Sequence, residues 1–321
     1  MPLQYDPEFW SVLEPLVPVL SKREPLSLDN IKAGREAREA GMRALFDRLD
    51  ICPEVEQRSY QVIATDGYII SVLALTPTAS RSDPGPCLLH FHGGGMILGS
   101  AEIQARPLAQ LVSATSVPVF SVNYRLAPEF KGTIPVQDGY AALLWLKSKA
   151  KEFSVDPSRI AVLGESAGGG VAAGVALMAR DKGLKPRLAK QILLYPMIDD
   201  RNMVANEAME PLAFWKTADN ATAWTALLGD QAGQPEAPIS YYSAPARAPS
   251  LAYLPPTYIE VGGLDIFLQE NVKYASRLLA ENIPTELHVY PGLPHGFEMI
   301  APNITAAKKA NENRHRAIMG I

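Results

Sequence analysis

The sequence has few cysteines, no long apolar run and no excess of positive charge. Only two cysteines, Cys52 and Cys87, occur among 321 residues, so neither a disulfide framework nor a cysteine-based zinc site is indicated. No apolar stretch approaches the roughly 20 residues that a membrane-spanning helix needs. The formal net charge of -4 gives no general attraction to a nucleic-acid backbone. These absences predict a protein without a metal site, a membrane span or a nucleic-acid partner.

The composition is that of an ordinary globular protein. Apolar residues make up 47% and charged residues 20%, which excludes a disordered chain or a collagen-like repeat. The N-terminus, Met1-Pro2-Leu3-Gln4, lacks a basic start followed by an apolar block and does not predict a signal peptide. We therefore expect one domain, residues 1–321, in the cytoplasm. A monomer and a homodimer are both compatible with these residues.

After the first fifty residues, short apolar runs alternate with helical patterns. Two β-rich runs, 55–64 and 68–75, flank Thr65-Asp66-Gly67 and predict an antiparallel hairpin. Six later runs predict strands at 87–91, 118–122, 160–163, 191–194, 257–261 and 287–290. Helical patterns lie between them at 104–113, 139–151, 167–179 and 267–280, and after them at 306–317. The alternation is typical of a mostly parallel sheet with helices on both faces, with its functional site at the carboxyl ends of the strands.

Two segments fall outside this alternation. Helical periodicity covers residues 7–20 and 29–49 before the first strand, with Asp29 as the candidate N-cap of the second helix. About sixty residues, 196–256, separate two predicted strands and contain a helical pattern at 218–228. Because a loop of that length in a compact domain is a lid, a binding element or disorder, we expect a lid that meets the N-terminal helices.

Gly164-Glu165-Ser166-Ala167-Gly168 lies between a predicted strand and an alanine-rich helical pattern. This context predicts a nucleophile elbow, a turn so tight that the serine adopts a strained backbone conformation and flanking glycines avoid a collision. The helix dipole also favours negative charge developing there. An ordinary Gly/Ser turn is the alternative, but the strand before and the helix after favour Ser166 as a nucleophile.

A second glycine-rich loop, His92-Gly93-Gly94-Gly95, follows the predicted strand 87–91. Consecutive glycines allow a loop to direct its amide groups at a developing oxyanion, and the other donor in such sites is the residue after the nucleophile. Gly93, Gly94 and Ala167 are therefore predicted to form an oxyanion hole. A phosphate loop is disfavoured, because Leu98 occupies the last position of Gly-x-Gly-x-x-Gly and no Gly-Lys-Ser/Thr is present.

The general base is expected downstream, in the order serine, acid, histidine. Three histidines follow Ser166. His288 lies within a predicted strand and His315 within a charged helical pattern, which favours packing and surface roles for them. His295 lies on a loop after the last strand and is the predicted base.

The acid is predicted to be Asp265, on the loop after the predicted strand 257–261. It precedes His295 by one helix and one strand, and its role would be to orient the imidazole. Capping of the following helix is the alternative role for Asp265. Asp199 and Asp200 also follow a strand and are the alternative acids.

These motifs together resemble the hormone-sensitive-lipase-like esterases of the α/β-hydrolase superfamily, over about residues 60–300. Other segments also fit that family, namely Tyr124-Arg125-Leu126-Ala127-Pro128-Glu129, Asp156-Pro157-Ser158-Arg159-Ile160, Leu194-Tyr195-Pro196 and His295-Gly296-Phe297. The sequence departs from the family at four places. Glu165 stands where the family commonly has Asp, and Met96 stands where it has a bulky aromatic residue. Two segments also differ: the common Asp-Pro-Leu is replaced by Asp265-Ile266-Phe267, and the common His-Pro-Phe-Pro is replaced by Phe130-Lys131-Gly132-Thr133.

The resemblance implies an α/β-hydrolase fold, with an eight-stranded, mostly parallel sheet flanked by helices under a helical cap. The cap would be formed by about residues 1–50 plus an insertion at about 197–235. Met96 would border the acyl pocket. Leu212, Phe214 and Trp215, with Trp10 and Met42, would either line the substrate pocket or pack the cap onto the body. Tyr124, Arg125 and Glu129 would support the loops beneath the oxyanion segment.

The implied activity is hydrolysis of short to medium acyl esters, without a cofactor, through a triad of Ser166, Asp265 and His295 and an acyl-enzyme. The same triad would also serve a lactonase, an amidase or a carbamate hydrolase. A third reading is a small-molecule receptor that has lost catalysis, like the plant gibberellin receptors of this family. Those receptors lack the catalytic histidine, so the presence of His295 argues against it.

Overall fold

The computed structural model describes residues 2–20, 24–79 and 83–321, and within them eight strands form one sheet. Their order across the sheet is β1-β2-β4-β3-β5-β6-β7-β8. The strands are β1 (Val55–Ile63), β2 (Ile69–Pro77), β3 (Gly85–Phe91), β4 (Val119–Asn123), β5 (Val155–Glu165), β6 (Lys190–Leu194), β7 (Thr257–Gly262) and β8 (Thr285–Tyr290). β2 pairs antiparallel with β1 and β4, and all other pairs are parallel. The predicted sheet, with its antiparallel hairpin at one edge, is confirmed.

Ten α-helices connect and cover these strands in the described ranges. They are α1 (Pro7–Leu13), α2 (Val17–Leu20), α3 (Ile31–Phe46), α4 (Ala105–Thr115), α5 (Ile134–Ser148), α6 (Ala167–Asp181), α7 (Thr217–Leu228), α8 (Leu268–Ala280), α9 (Phe297–Ile300) and α10 (Thr305–Met319). The pattern at 7–20 is divided by a 3-10 turn, Glu14–Leu16, that contains Pro15, because proline has no N–H for a helical hydrogen bond. α5 begins at Ile134 rather than Gly139, since Pro135 suits the first turn of a helix.

The predicted N-cap of the second N-terminal helix was wrong. α3 begins at Ile31, so the capping position belongs to Asn30 rather than Asp29. The Asn30 side chain accepts a hydrogen bond from the Ser27 N–H at 2.8 Å, which orders the preceding turn instead of capping α3. Asp and Asn both favour such turns, so composition alone did not separate the two positions.

Strand side chains alternate between two buried clusters, one on each face of the sheet. In β3, Leu88 packs into the cluster that contains residues of α4 and α10, while Leu89 packs into the one that contains residues of α5, α6 and α8. Both faces are covered because parallel strands are connected by crossover helices. Because β3 and β5 to β8 run parallel, the carboxyl ends of β3, β5, β7 and β8 lie at the same edge of the sheet.

The N-terminal segment contacts the insertion that follows β6. The Asp219 carboxylate, at the start of α7, accepts a hydrogen bond from the Leu26 N–H at 2.7 Å and forms an ion pair with Arg38 at 3.0 Å. The Tyr5 hydroxyl donates to the Leu212 carbonyl at 2.8 Å. No helix in the described part of the chain has the length and apolarity to cross a membrane.

α1 also packs against the loop that follows β8. The Asp6 N–H donates to the Gly292 carbonyl at 2.8 Å, and Phe9 is fully buried in a cluster with Leu293 and Phe297. The Glu8 carboxylate accepts a hydrogen bond from the Thr305 N–H at 2.7 Å. The N-terminal helix therefore supports a loop that carries a candidate site residue.

Candidate active site

Ser166 lies at the tight turn between β5 and α6. Its φ of 55° and ψ of -121° fall in a region that costs a non-glycine residue on the order of 1–3 kcal/mol. A Cβ at Gly164 would lie 2.1 Å from the Gly168 carbonyl oxygen, and one at Gly168 would lie 1.9 Å from the Phe91 carbonyl oxygen. The glycines that flank the serine are therefore required by backbone contact, as expected for an elbow.

Ser166, His295 and Asp265 form a continuous chain of hydrogen bonds. The Ser166 Oγ lies 2.9 Å from His295 Nε2, and His295 Nδ1 lies 2.6 Å from Asp265 Oδ2. Asp265 is fully buried, and its Oδ1 accepts a hydrogen bond from the Phe267 N–H at 2.9 Å. Asp265 thus orders the start of the next helix with one oxygen and contacts the imidazole with the other. A carboxylate on Nδ1 leaves Nε2 free to accept the serine proton.

The alternative acids are engaged elsewhere. Asp199 pairs with Arg201 at 2.7 Å, and Asp200 pairs with Arg247 in a buried contact. Of the other candidate bases, His288 contacts Glu286 within β8 at 2.6 Å. His315 lies in α10, where burial and then the Arg314 charge lower its pKa.

The glycine-rich loop lies directly against the serine. A Cβ at Gly93 would lie 3.6 Å from the Ser166 Cβ, and Gly94 has a φ of +119°. The Gly94 carbonyl accepts hydrogen bonds from the N–H groups of Ile97 and Leu98, both at 3.0 Å. Within the described ranges, the N–H groups of Gly93, Gly94 and Ala167 have no protein acceptor. These N–H groups remain available to a ligand oxygen.

His92 and Tyr124 support this loop from below. Their rings stack with centroids 4.3 Å apart, and the Tyr124 hydroxyl donates to the His92 carbonyl at 2.7 Å. Burial lowers the pKa of His92 to about 4, so its ring is neutral at pH 7, and Nδ1 lies 2.9 Å from the Gly93 carbonyl. The supporting role predicted for Tyr124 is confirmed.

Arg125 and Glu129 also have structural contacts. Arg125 forms a buried ion pair with Asp138 at 2.6 Å and a second pair with Asp66 at 2.7 Å. Glu129 pairs with Arg35 of α3 at 2.8 Å. Both residues therefore connect the loop after β4 to neighbouring elements.

Two residues of α3 that the sequence did not single out contact the segment after the glycines. The Arg35 guanidinium donates to the Ile97 carbonyl at 2.6 Å and to the Ala127 carbonyl at 2.9 Å. The Glu39 carboxylate accepts a hydrogen bond from the Gly99 N–H at 2.8 Å. The N-terminal segment thus stabilises the glycine-rich loop as well as the histidine loop.

Glu165, one of the departures from the family pattern, is partly buried and pairs with the fully buried His90. His90 Nε2 lies 2.8 Å from the Glu165 carboxylate, and Nδ1 lies 2.8 Å from the Ser121 hydroxyl. Burial raises the pKa of Glu165, but the charge and hydrogen bond of His90, with the charge of Arg314, outweigh it, so the pKa lies below its ordinary value. The residue before the nucleophile is therefore connected to two neighbouring strands.

Two of the candidate pocket residues adjoin the glycine-rich loop. Met96 is buried, with a φ of +61°, and its Cε would lie 3.3 Å from a Cβ at Gly170. The Trp215 indole would lie 2.9 Å from a Cβ at Gly95. Met96 therefore lies beside α6, and Trp215 lies beside the glycine-rich loop.

The other pocket candidates pack between the N-terminal segment and the insertion. Phe214 contacts Phe9 edge-on at 5.9 Å and lines a cavity of about 260 Å³ together with Tyr5. Trp10 stacks on Tyr5 at 5.7 Å, and the same Tyr5 bonds to the Leu212 carbonyl. Met42 packs against the main core cluster. The triad is not among the residues that line this cavity.

Comparisons with known proteins match this chain to the α/β-hydrolase fold and to proteins named as esterases. A family model described as an alpha/beta hydrolase fold matches residues 88–299. The chain is 34% identical to Esterase LipI of Mycobacterium tuberculosis, over 89% of this chain and 87% of the relative. It is 33% identical to Carboxylesterase NlhH of the same species, over 93% and 92%. A solved structure described as a bacterial heroin esterase superposes with a TM-score of 0.87 at 33% identity, covering 99% of this chain and 98% of that one.

Proposed function

Because the chain belongs to the α/β-hydrolase family, we propose that it is a carboxylesterase with Ser166 as nucleophile, His295 as general base and Asp265 as the orienting acid. The observation that carries the proposal is the unbroken contact from Ser166 Oγ through His295 to Asp265. The three residues follow β5, β8 and β7, whose carboxyl ends meet at one edge of the sheet. The relatives named as esterases support the reaction class.

Acylation begins when His295 Nε2 takes the Ser166 proton while Oγ attacks the ester carbonyl carbon. The tetrahedral intermediate places negative charge on the former carbonyl oxygen, and the N–H groups of Gly93, Gly94 and Ala167 stabilise it. The imidazolium, stabilised by Asp265, then gives its proton to the departing alcohol. Water attacks the acyl-enzyme with His295 again as base, which releases the acid and restores Ser166.

We propose esters with short to medium acyl chains as the substrate class. Met96 and Trp215 are both buried beside the glycine-rich loop, and their bulk there supports a small acyl pocket. The similar structure described as a heroin esterase supports small organic esters as substrates. The cap, formed by about residues 1–50 and 197–235 of a single domain, is proposed to enclose this pocket. The cytoplasmic location and the monomeric or homodimeric state stay predictions.

The test is the Ser166→Ala variant assayed with p-nitrophenyl acetate and butyrate. We expect hydrolysis to fall to background while the circular dichroism spectrum and melting temperature stay close to those of the wild type. Unchanged turnover in this variant would contradict the assignment. A panel of esters, lactones and amides, compared by kcat/KM, separates esterase from lactonase and amidase activity. Failure of a fluorophosphonate probe to label Ser166 would favour the receptor reading instead.

A further inference from the structure

Tyr195 occupies a strained position between the nucleophile and the catalytic histidine. It follows β6 directly, with a φ of +37°, in the left-handed region that side chains rarely adopt. Its N–H donates to the Glu260 carbonyl at 2.6 Å. The residue before it, Leu194, accepts a hydrogen bond from the Ser166 N–H at 2.8 Å. The backbone at Tyr195 is thereby joined to both the elbow and β7.

The ring of Tyr195 contacts the His295 imidazole. The two centroids are 4.7 Å apart, with the planes at 67°, and Phe267 contacts the same imidazole at 5.3 Å and 80°. Tyr195 is almost fully buried. Edge-to-face contacts of this kind stabilise one orientation of the rings. The His295 ring therefore has an aromatic neighbour in addition to its two hydrogen-bonding partners.

The hydroxyl of Tyr195 donates to a buried carboxylate on α9, the short helix that follows His295. Its oxygen lies 2.6 Å from Glu298 Oε1, three residues beyond His295. Burial, followed by the Glu298 charge, raises the pKa of Tyr195 well above its ordinary value, so the hydroxyl stays a donor. Tyr195 consequently contacts the loop at His295 with its ring and the following α9 with its hydroxyl.

Glu298 is in turn fixed by a buried charge cluster. Arg314 of α10 lies 3.2 Å from Glu298 and also pairs with Glu260 of β7. The Tyr258 hydroxyl donates to the second oxygen of Glu260 at 2.6 Å. Burying these charges costs free energy unless each charge is paired. The acyl-transfer steps proposed above use none of these charged groups. The arrangement needs an explanation other than general acid or base chemistry.

We propose that Tyr195 is a positioning residue, which sets the orientation of the His295 imidazole towards Ser166 and is itself held through Glu298 and Arg314. This inference rests on the proposed function, since it assigns His295 as the base. When the hydroxyl bond is lost, the ring and the histidine loop can move relative to each other. A displacement of about 1 Å at a catalytic group costs on the order of 100-fold in rate.

The test compares Tyr195→Phe, which keeps the ring and removes the hydroxyl, with Tyr274→Phe as a matched control. Tyr274 is also buried, on α8, and its hydroxyl has no hydrogen-bond partner in the described part of the chain. We expect kcat for p-nitrophenyl butyrate to fall about 10- to 100-fold in Tyr195→Phe, with KM unchanged. Tyr274→Phe should stay within about twofold of the wild type.

Labelling with a fluorophosphonate probe separates positioning from partial unfolding. In Tyr195→Phe the rate of labelling should fall in parallel with kcat, while the final extent stays that of the wild type. A lower extent at an unchanged rate would indicate an unfolded fraction and overturn the proposal. So would a kcat within about twofold of the wild type.

A second variant, Glu298→Ala, removes the acceptor of the same bond. It should also lower kcat, and the double variant should be no slower than the slower single variant, because both remove the bond between Tyr195 and Glu298. Additive losses would contradict the proposal, as would wild-type kcat in Glu298→Ala if Tyr195→Phe folds poorly. Ser166→Ala, assayed in parallel, tests the proposed function separately: if it is inactive while Tyr195→Phe is normal, only the positioning role fails.

Discussion

The Gly94→Ala variant gives a direct test of the oxyanion hole. Gly94 has a φ of +119°, and a Cβ there would lie 2.2 Å from the Leu98 carbonyl oxygen. Real Cβ atoms essentially never come closer than 3.0 Å to such a neighbour, so one of the two must move by about 0.8 Å. The Gly94 carbonyl already accepts two hydrogen bonds from the turn that follows, so this shift also displaces the Gly94 N–H.

The expected size of the effect follows from the loss of one donor to the oxyanion. Removing such a donor typically lowers kcat by about 100- to 1,000-fold, equivalent to about 2.7–4 kcal/mol of transition-state stabilisation. KM should change little, because the donor acts mainly on charge that develops in the transition state. We therefore expect a folded Gly94→Ala enzyme with kcat reduced by at least about 100-fold.

Gly183→Ala is a matched control for backbone strain. Gly183 has a φ of +65°, and a Cβ there would meet nothing within 4 Å. It should lose about 1–2 kcal/mol of stability through its left-handed conformation and keep its activity. Steady-state kinetics with p-nitrophenyl butyrate and thermal melts of both variants give the comparison. If folded Gly94→Ala keeps kcat within about threefold of Gly183→Ala, the Gly94 N–H does not stabilise the oxyanion.

Two further predictions concern residues that border the glycine-rich loop. Arg35→Ala should lower kcat about tenfold, because the Ile97 carbonyl loses its hydrogen-bond partner. Glu129→Gln, the control, should have little effect on kcat, because this carboxylate is half exposed. Equal losses of kcat in the two variants would contradict a role for Arg35 in the loop. Trp215→Ala should open space beside Gly95 and raise kcat/KM for longer acyl chains relative to acetate by about tenfold. An unchanged profile across a p-nitrophenyl ester series would remove Trp215 from the pocket.

The parts of the site that follow local rules could be predicted from the sequence. The elbow at Ser166 and the loop at Gly93 depend on glycines close to them in the chain, where only a missing side chain fits. The strands were recognisable because both faces of the sheet are buried, which makes the runs continuously apolar. Asp265 and His295 followed from chain order and from their place after neighbouring strands.

The supporting contacts could not be predicted in this way. Arg35 lies in a polar helix, where an arginine is normally exposed, and its carbonyl partner Ile97 is 62 residues away. Tyr195 and Glu298 are 103 residues apart, and the segment Leu194-Tyr195-Pro196 does not indicate which residue the Tyr195 hydroxyl contacts. Such pairs depend on how the loops meet in three dimensions. The helical pattern at 139–151 began five residues late, because the first turn of α5 contains Pro135, which suits that position of a helix.

The packing of α1 against the histidine loop joins two segments that are synthesised at very different times. Glu8 and Thr305 are 297 residues apart, so a growing chain exposes α1 long before its partners exist. Contacts of such high sequence separation form late in folding, because a long loop must first be closed. A ribosome-bound chain that lacks the C-terminal segment would therefore have a serine and an acid but no ordered base. With the proposed triad, we expect hydrolysis to begin only after α1 and the segment around Thr305 have met.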